Sequence, residues 1–337
     1  MMPERILIVG TGNIGERHLK LIRKNYPLSK IGVFQRELSC KKLLDNFDFL
    51  FKSEKEAVDF LPTLAIVANP APFHLKIALL LASVRCHLLI EKPISDKVHG
   101  VRELIDECKR KKILLTVGYN LRFLPSLQNF KSAVDSGLIG KIYHIEANFG
   151  RNLAQWRPNT DYKNSVTAHK NLGGGVLLEI SHEIDYLRWI FGEISWVMAD
   201  VRKISTLDMD TEDFASLNCG LSGANQGAVL TLVLDCFRCD YRRGCTVVGE
   251  LGAIKWDAVS GVVSTINYQS IEWAEIFRDQ VNVDYSYERQ LQSFVECILS
   301  GSEPLVTGED ALRTLEVVSA AKLSSQTCRR EVIHVTN

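Results

Sequence analysis

The N-terminal segment constrains the fold most, because an apolar run leads into a glycine motif and then into a helical pattern. Ile6-Leu7-Ile8-Val9 precedes Gly10-Thr11-Gly12-Asn13-Ile14-Gly15, and Leu19 and Ile22 follow at helical spacing. In such a turn the first glycine allows a tight bend, the second admits a pyrophosphate, and the third lets helix and strand pack. The segment predicts a dinucleotide site whose contacts are Gly10, Gly12, Asn13, Ile14 and Gly15.

Strand-like runs recur along the first third of the chain. They lie near residues 31–34, 64–68, 86–90 and 113–117, with helical patterns between them. Strands and helices in alternation predict right-handed crossovers and a parallel sheet that binds its ligand at the carboxyl ends of the strands. The residues assigned to the dinucleotide site at these ends are Gln35, Arg36, Asn69, Pro70, His74, Glu91 and Lys92.

The residues after the second strand bear on the choice of cofactor. An NAD site usually places an acidic residue there, but here Phe34 is followed by Gln35 and Arg36. Gln35 can bond a ribose hydroxyl, and the guanidinium of Arg36 can pair with a 2′-phosphate. The cofactor is therefore NADP or NAD, with NADP favoured. The alternative is that Arg36 is a surface residue and NAD binds with less discrimination.

The sequence Glu91-Lys92-Pro93 directly follows a buried strand. A lysine in this place is a point charge near the ligand crevice that can bond and protonate a substrate oxygen. A cis bond before Pro93 would fix the direction of that lysine. Taken alone, Lys92 is more often an exposed lysine at a strand end.

A glycine triplet, Gly173-Gly174-Gly175, runs into a helical pattern that contains Glu179, His182 and Asp185. On one continuous helix Glu179 and His182 share a face, and Asp185 follows about 60° further round. Glycines allow backbone and ligand to approach closely at the helix start. The pattern predicts a helix that carries catalytic side chains along one side of the active site. The alternative is an ordinary helix with a polar stripe.

Composition excludes several classes of protein. The 337 residues predict two domains, and 40 basic side chains balance 40 acidic ones, so neither nucleic acid nor a membrane surface is an expected partner. Nine cysteines without an export signal predict reduced thiols and a cytoplasmic location. The CxxC at Cys236 and Cys239 lacks a second pair, and no metal site is expected.

Four motifs together resemble the Gfo/Idh/MocA oxidoreductase family over essentially the whole chain. They are the glycine loop, Glu91-Lys92-Pro93, the segment 118–123 (Gly-Tyr-Asn-Leu-Arg-Phe) and the helix after the glycine triplet. The resemblance implies an α/β fold with a doubly wound parallel Rossmann sheet in residues 1–123. It also implies a C-terminal α/β domain, residues 124–337, with an open, largely antiparallel sheet for substrate binding and oligomerisation.

The resemblance places the acid/base roles on Lys92 and His182, and the family's helix acid on Glu179 or Asp185. The chain departs from the commoner pattern, in which an aspartate stands four residues before the histidine, because Glu179 stands three before His182. Glu179 is assigned as catalytic, and its role stays open between orienting His182, binding substrate hydroxyls and capping the helix.

The segment 156–162 (Trp-Arg-Pro-Asn-Thr-Asp-Tyr) resembles family members of surface-glycan and acidic-sugar pathways. It offers an aromatic face for a sugar ring and an arginine for a carboxylate or phosphate, and the alternative is a packed loop around Trp156. The residues assigned to substrate binding are Lys92, Asn120, Arg122, Trp156, Arg157, Asp161, Tyr162 and Asp185.

The expected activity is reversible hydride transfer to or from a sugar or sugar derivative, with a nucleotide-linked or acidic sugar as one option. One alternative is a redox-neutral epimerase or eliminase that keeps its NAD(P), and another is a sugar or nucleotide sensor without turnover. Leucines on one face of 228–234 and Val229, Thr231 and Val233 on the other require cover on both faces. This pattern predicts a homodimer or homotetramer formed through the C-terminal sheet.

Overall fold

The computed structural model describes residues 3–35, 46–156, 161–280 and 282–333. The chain forms two compact units. Met1–Tyr119 and Tyr287–Leu312 make the first, and Asn120–Ser286 and Arg313–Asn337 make the second. The first break lies four residues before the expected boundary at 123, and the segment 287–312 belongs to the first unit rather than to the second.

The first unit contains a six-stranded parallel sheet. Its strands and helices are β1 (Arg5–Val9), α1 (Asn13–Asn25), β2 (Lys30–Phe34), β3 (Phe49–Phe51), α2 (Glu54–Asp59), β4 (Leu64–Val67), α3 (His74–Ser83), β5 (His87–Ile90), α4 (Val101–Lys111) and β6 (Leu115–Val117). The strand order is β3-β2-β1-β4-β5-β6, and every neighbouring pair is parallel. The expected doubly wound parallel sheet is confirmed, with its order reversing between β1 and β4.

The chain returns to this unit late in the sequence. Helix α9 (Val283–Ser300) places Leu291, Phe294 and Val295 in the core cluster that also contains Leu19 and Ile22 of α1. This packing is why 287–312 joins the first unit, since burial of apolar surface decides which elements associate.

The second unit contains a nine-stranded sheet. Its strands and helices are α5 (Pro125–Asp135), β7 (Ile142–Gly150), α6 (Leu153–Trp156), α7 (Val176–Glu179), α8 (Ser181–Phe191), β8 (Ile194–Arg202), β9 (Phe214–Leu221), β10 (Val229–Asp235), β11 (Arg242–Gly249), β12 (Gly252–Asp257), β13 (Val262–Asn267), β14 (Ala274–Arg278), most of α10 (Gly308–Thr327) and β15 (Glu331–Val332). The strand order is β14-β13-β12-β11-β7-β10-β9-β8-β15. All pairs are antiparallel except β7 with β10, which confirms the expected largely antiparallel sheet.

The two faces of this sheet differ. Helices α5, α7 and α8 pack on one face, where the leucines of β10 (Leu230, Leu232 and Leu234) are buried. On the other face Val229 is 43% exposed and Val233 is 37% exposed. The described residues of this chain therefore do not provide the cover that the sequence pattern requires on the second face. Among the described helices, none is both long and apolar enough to cross a bilayer.

Candidate functional site

The glycine loop after β1 has the geometry that its three glycines predict. Gly10 has a φ of +87°, and a Cβ there would lie 2.9 Å from the Cα of Asn69. A Cβ on Gly15 would lie 2.0 Å from the carbonyl oxygen of Gly10, so helix and turn meet without room for a side chain. A Cβ on Gly12 would meet nothing within 4 Å, which leaves its backbone open to a ligand. Asn13 and Ile14 begin the helix beside this open position.

The other residues predicted for the dinucleotide site follow strands of the same sheet. Gln35 follows β2, Asn69 and Pro70 lie just beyond β4, and Lys92 follows β5. Because the carboxyl ends of parallel strands lie at one edge, the topology brings these positions to the edge that holds the glycine loop. Gln35 is half-buried, and its backbone N–H donates to Phe51. Arg36 lies outside the described residues.

His74 is buried rather than presented to a ligand. It is 1% exposed, with Nε2 2.6 Å from the carbonyl oxygen of Asn69 and Nδ1 3.1 Å from that of Pro93. Burial lowers the pKa of the imidazole, although both carbonyl groups favour its charged form. His74 thus connects the loop after β4 with the loop after β5, a structural contact that its assignment to the cofactor did not include.

The loop after β5 combines a buried acid with a half-buried lysine. Glu91 is 6% exposed, and its Oε1 lies 2.6 Å from Nε2 of the fully buried His18. Lys92 is half-buried, and the Lys92–Pro93 peptide bond is cis. The lysine side chain, unlike the glutamate, is partly accessible.

In the second unit the expected continuous helix is broken, so that prediction was wrong. Helix α7 ends at Glu179, Ile180 has φ −105° and ψ 25°, and α8 begins at Ser181. The Ser181 hydroxyl donates to the carbonyl of Leu178, which satisfies an acceptor at the break. Helical spacing therefore does not relate Glu179 to His182, although both flank the same short turn.

The glycine triplet approaches protein atoms rather than open space. A Cβ on Gly174 would lie 2.3 Å from the carbonyl oxygen of Val166, and one on Gly175 would lie 2.4 Å from the carboxylate of Glu212. Glu212 also accepts the N–H of Val176 through its carbonyl. The glycines therefore fit α7 against the segment around Glu212, and the expected close approach of a ligand at Gly174 and Gly175 is corrected.

Two residues assigned to the substrate bind each other. Arg122 donates through Nε to Asp185 at 2.9 Å and through a terminal nitrogen at 2.7 Å, a two-pronged ion pair. Arg122 is 2% exposed and Asp185 is fully buried. The pair lies one helical turn beyond His182, which is itself 8% exposed.

The remaining substrate candidates lie in separate contacts. Asn120 is buried and donates to the hydroxyl of Ser286 at 2.7 Å. Trp156 is half-buried, packs edge-on against Phe149 and donates to the carbonyl of Arg151 at 3.1 Å. These contacts of Trp156 agree with the packed-loop alternative.

Asp161 and Tyr162 contact neighbouring backbone groups. The Asp161 carboxylate accepts the N–H of Lys163, and the Tyr162 hydroxyl accepts the N–H of Asp208. Arg157 lies outside the described residues.

Sequence reasoning missed a second buried ion pair on α8. Glu183 is fully buried, and its carboxylate accepts a hydrogen bond from Nε of Arg243, on β11, at 2.7 Å. Burial opposes the charge of Arg243, yet the Glu183 carboxylate raises the pKa of the guanidinium above its usual range. Glu183 was visible as an acid beside His182, but its partner lies 60 residues away in the sequence.

The two cysteines of the CxxC motif differ in their exposure to solvent. Cys236 is buried, Cys239 is exposed, and both are free thiols. Burial raises the pKa of the Cys236 thiol, and the nearby carboxylates of Glu179 and Asp213 raise it further. Among the described residues, no group of three or more potential ligands could hold a metal ion.

Comparison with known proteins gives the same architecture. The model of the oxidoreductase family with an NAD-binding Rossmann fold matches residues 4–119, and the model of the GFO/IDH/MocA C-terminal domain matches residues 127–255. Myo-inositol 2-dehydrogenase of Thermotoga maritima is 27% identical over 345 aligned positions that cover 95% of this chain and 96% of that protein.

Two solved structures share the fold. Levoglucosan dehydrogenase in complex with NADH aligns with a TM-score of 0.87 at 16% identity, covering 98% of this chain and 99% of the other. The WlbA dehydrogenase from Bordetella pertussis in complex with NADH and UDP-GlcNAcA aligns with a TM-score of 0.81 at 19% identity, covering 99% of this chain and 100% of the other. With both of its family models matched in order, the chain belongs to the Gfo/Idh/MocA family of oxidoreductases with an NAD-binding Rossmann fold.

Proposed function

We propose that the protein transfers a hydride between a nicotinamide dinucleotide and a secondary-alcohol carbon of a sugar or sugar derivative, interconverting alcohol and ketone. The supporting observation is one sheet edge, where the glycine loop, Asn69 and Lys92 follow the adjacent strands β1, β4 and β5. The relative that acts on myo-inositol supports the class of substrate.

The residues at this edge fit a dinucleotide. Gly12 is open, and the buried hydroxyl of Thr11 has no hydrogen-bond partner among the described residues. Backbone amides at the start of α1, together with that hydroxyl, would hold phosphate oxygens. When bound, the nicotinamide supplies or accepts the hydride. Asn69, Pro70 and Gln35 are proposed to line the same edge.

Proton transfer is proposed to rest on Lys92 and His182. Oxidation of an alcohol releases the hydroxyl proton, so a neutral amine or imidazole that bonds this oxygen can take the proton, and it returns the proton during reduction. Glu179 is proposed to orient His182 or to bond a substrate hydroxyl. Because Arg122 and Asp185 neutralise each other, we assign this pair to fixing α8 rather than to contacting the sugar.

The test compares Lys92→Ala with Lys97→Ala, a change at an exposed lysine in the same loop. We expect Lys92→Ala to lower kcat by a factor of about 10² to 10⁴. Its affinity for NADH and NADPH, followed by nicotinamide fluorescence, should equal that of the wild type. Lys97→Ala should resemble the wild type. Normal turnover in Lys92→Ala would overturn the assignment.

The same assay separates the two enzymatic alternatives. A dehydrogenase consumes one cofactor per turnover, whereas a redox-neutral epimerase or eliminase converts substrate with only catalytic NAD(P). A sensor would bind sugar without converting it.

We also propose that the cofactor is NADP(H), on the basis of Gln35 and Arg36 after β2 and the absence of an acid there. Titration with NADPH and with NADH, followed by nicotinamide fluorescence, gives the affinity ratio. Arg36→Ala should weaken the binding of NADPH relative to that of NADH. An unchanged ratio of the two affinities would contradict the role of Arg36.

A nucleotide-linked or acidic sugar is proposed as the finer substrate class. Support comes from Arg151, whose guanidinium lies over the ring of Tyr241, and from the paired rings of Phe149 and Trp156. A structural neighbour was also solved with UDP-GlcNAcA. A screen should compare UDP-sugars and uronates with myo-inositol by kcat/KM. A clear preference for myo-inositol would reject this class.

A further inference from the structure

We propose that His18 is a positioning residue for Lys92 and that it acts through the buried carboxylate of Glu91. The proposal rests on the proton-transfer role proposed for Lys92. It adds a function to a histidine that is separated from Glu91 by 73 residues in the sequence.

The contact between His18 and Glu91 is short and buried. Nε2 of His18 lies 2.6 Å from Oε1 of Glu91, and the side chains are 0% and 8% exposed. A hydrogen bond to a charged group in such surroundings is among the stronger ones in proteins. The imidazole therefore fixes one oxygen of the carboxylate.

The other carboxylate oxygen is fixed from two sides. Oε2 of Glu91 accepts the backbone N–H of Lys92 at 3.3 Å. A Cβ on Gly118 would lie 2.7 Å from the same oxygen, so the backbone of Gly118 closes the space on that side. The carboxylate thus contacts the residue whose side chain is proposed to move the proton.

His18 itself packs against helix α9. Its ring lies edge-on to Tyr287, with 5.7 Å between the ring centroids. The guanidinium of Arg17 stacks 4.8 Å from the centroid of the same tyrosine ring. The imidazole cannot turn away from Glu91 without disturbing this packing.

These contacts change the assignment of Glu91. The sequence placed it among the dinucleotide contacts, but its carboxylate is used inside the unit, at 6% exposure. Two hydrogen bonds therefore connect His18, on the helix of the glycine loop, through the Glu91 carboxylate to the backbone of Lys92. Their effect is to set the backbone from which the Lys92 side chain extends.

The experiment uses the full chain with three variants: His18→Phe, which keeps a ring but no donor, His18→Gln, which can still donate, and Glu91→Gln. The first readout is the rate at which acetic anhydride acetylates Lys92, measured by peptide mass spectrometry with Lys97 as the internal control. It needs no substrate, so it distinguishes failure of this proposal from failure of the proposed function. The second readout compares the change in kcat with the change in the KM for the dinucleotide.

We expect His18→Phe and Glu91→Gln to change the acetylation rate of Lys92 but not of Lys97, and His18→Gln to restore it. Loss of one hydrogen bond to a charged group should also lower kcat by about tenfold, with little change in the KM for the dinucleotide. If His18→Phe does not fold, Glu91→Gln decides. Equal acetylation of Lys92 in the variants and the wild type, or equal changes at both lysines, would overturn the proposal.

Discussion

Arg122 and Asp185 form a buried, two-pronged ion pair that connects the turn after β6 to helix α8, and their charged groups lie 2.7 and 2.9 Å apart. Both were expected to contact a sugar. A carboxylate that receives two N–H groups of a buried guanidinium has little capacity left for a ligand. The pair instead fixes the helix on which His182 lies.

The first prediction concerns this pair. Asp185→Asn should lower the free energy of unfolding by about 3–5 kcal/mol, because it leaves the guanidinium buried without a countercharge. Urea denaturation gives the value. The double variant Arg122→Met, Asp185→Leu should recover part of the loss.

Asp200→Asn is the matched control for this prediction. Asp200 pairs with Arg202 at the surface, and its loss should cost less than about 1 kcal/mol. An Asp185→Asn variant as stable as this control would show that the buried pair does not hold α8.

The second prediction separates two glycines of one loop. Gly12→Ala adds a methyl group where no atom lies within 4 Å, so stability should be unchanged while affinity for NADH and NADPH falls by about tenfold or more. Gly15→Ala should instead destabilise the protein, because the methyl group meets the carbonyl of Gly10 at 2.0 Å. Thermal unfolding and nicotinamide fluorescence test both, and unaltered affinity in Gly12→Ala would mean that phosphates do not approach this glycine.

The third prediction concerns pH. Burial lowers the pKa of His87 from 6.5, and its Nδ1 accepts the backbone N–H of Leu114 at 3.0 Å, which only the uncharged nitrogen can do. Since the unfolded state then binds the proton more tightly, the contribution of His87 to stability is complete above about pH 6.5 and is lost as the pH falls below it.

Urea unfolding at pH 8 and pH 5.5 measures this effect. The difference in the free energy of unfolding between the two pH values should be smaller in His87→Gln than in the wild type. An identical difference would show that His87 does not titrate on unfolding.

The fourth prediction concerns the thiols. Cys239 and Cys328 are exposed, and the other six described cysteines are buried. Burial raises the pKa of Cys108 and of Cys219 to about 12, which keeps these thiols protonated. Iodoacetamide at pH 8 should therefore alkylate Cys239 and Cys328 in the folded protein and the six buried thiols only after unfolding, as read by mass spectrometry. Rapid alkylation of Cys108 or Cys219 in the folded protein would contradict the burial. Cys40 lies outside the described residues.

The fifth prediction tests the proposed homodimer or homotetramer. On the open face of the second sheet Met198 is 50% exposed, Val229 43% and Val233 37%, and a partner's sheet is the proposed cover. Val233→Lys should shift the protein toward the monomer in light scattering at micromolar concentration. Val259→Lys, at a 42% exposed valine in the turn before β13, is the control and should not. A monomeric wild type would refute the proposal.

The sequence by itself determined the order of elements in the first unit and its parallel sheet, and the family resemblance implied the largely antiparallel sheet of the second unit. Apolar periodicity and the conformation of the turn at Gly10 depend on residues that are adjacent in the sequence. Strand β1, helix α1 and the alternation of strands and helices up to β6 could therefore be predicted from the local sequence. The motif at Lys92 was equally visible.

Only the tertiary structure decided which polar groups are used internally. Asp185 meets Arg122 across 63 residues and Glu91 meets His18 across 73, and such pairings depend on which faces pack together. The break at Ile180 has no glycine or proline to announce it, and α9 joins the first unit because its apolar face is buried there. Local preference assigns a residue to a helix or strand, but long-range burial decides whether its charge is left for a ligand.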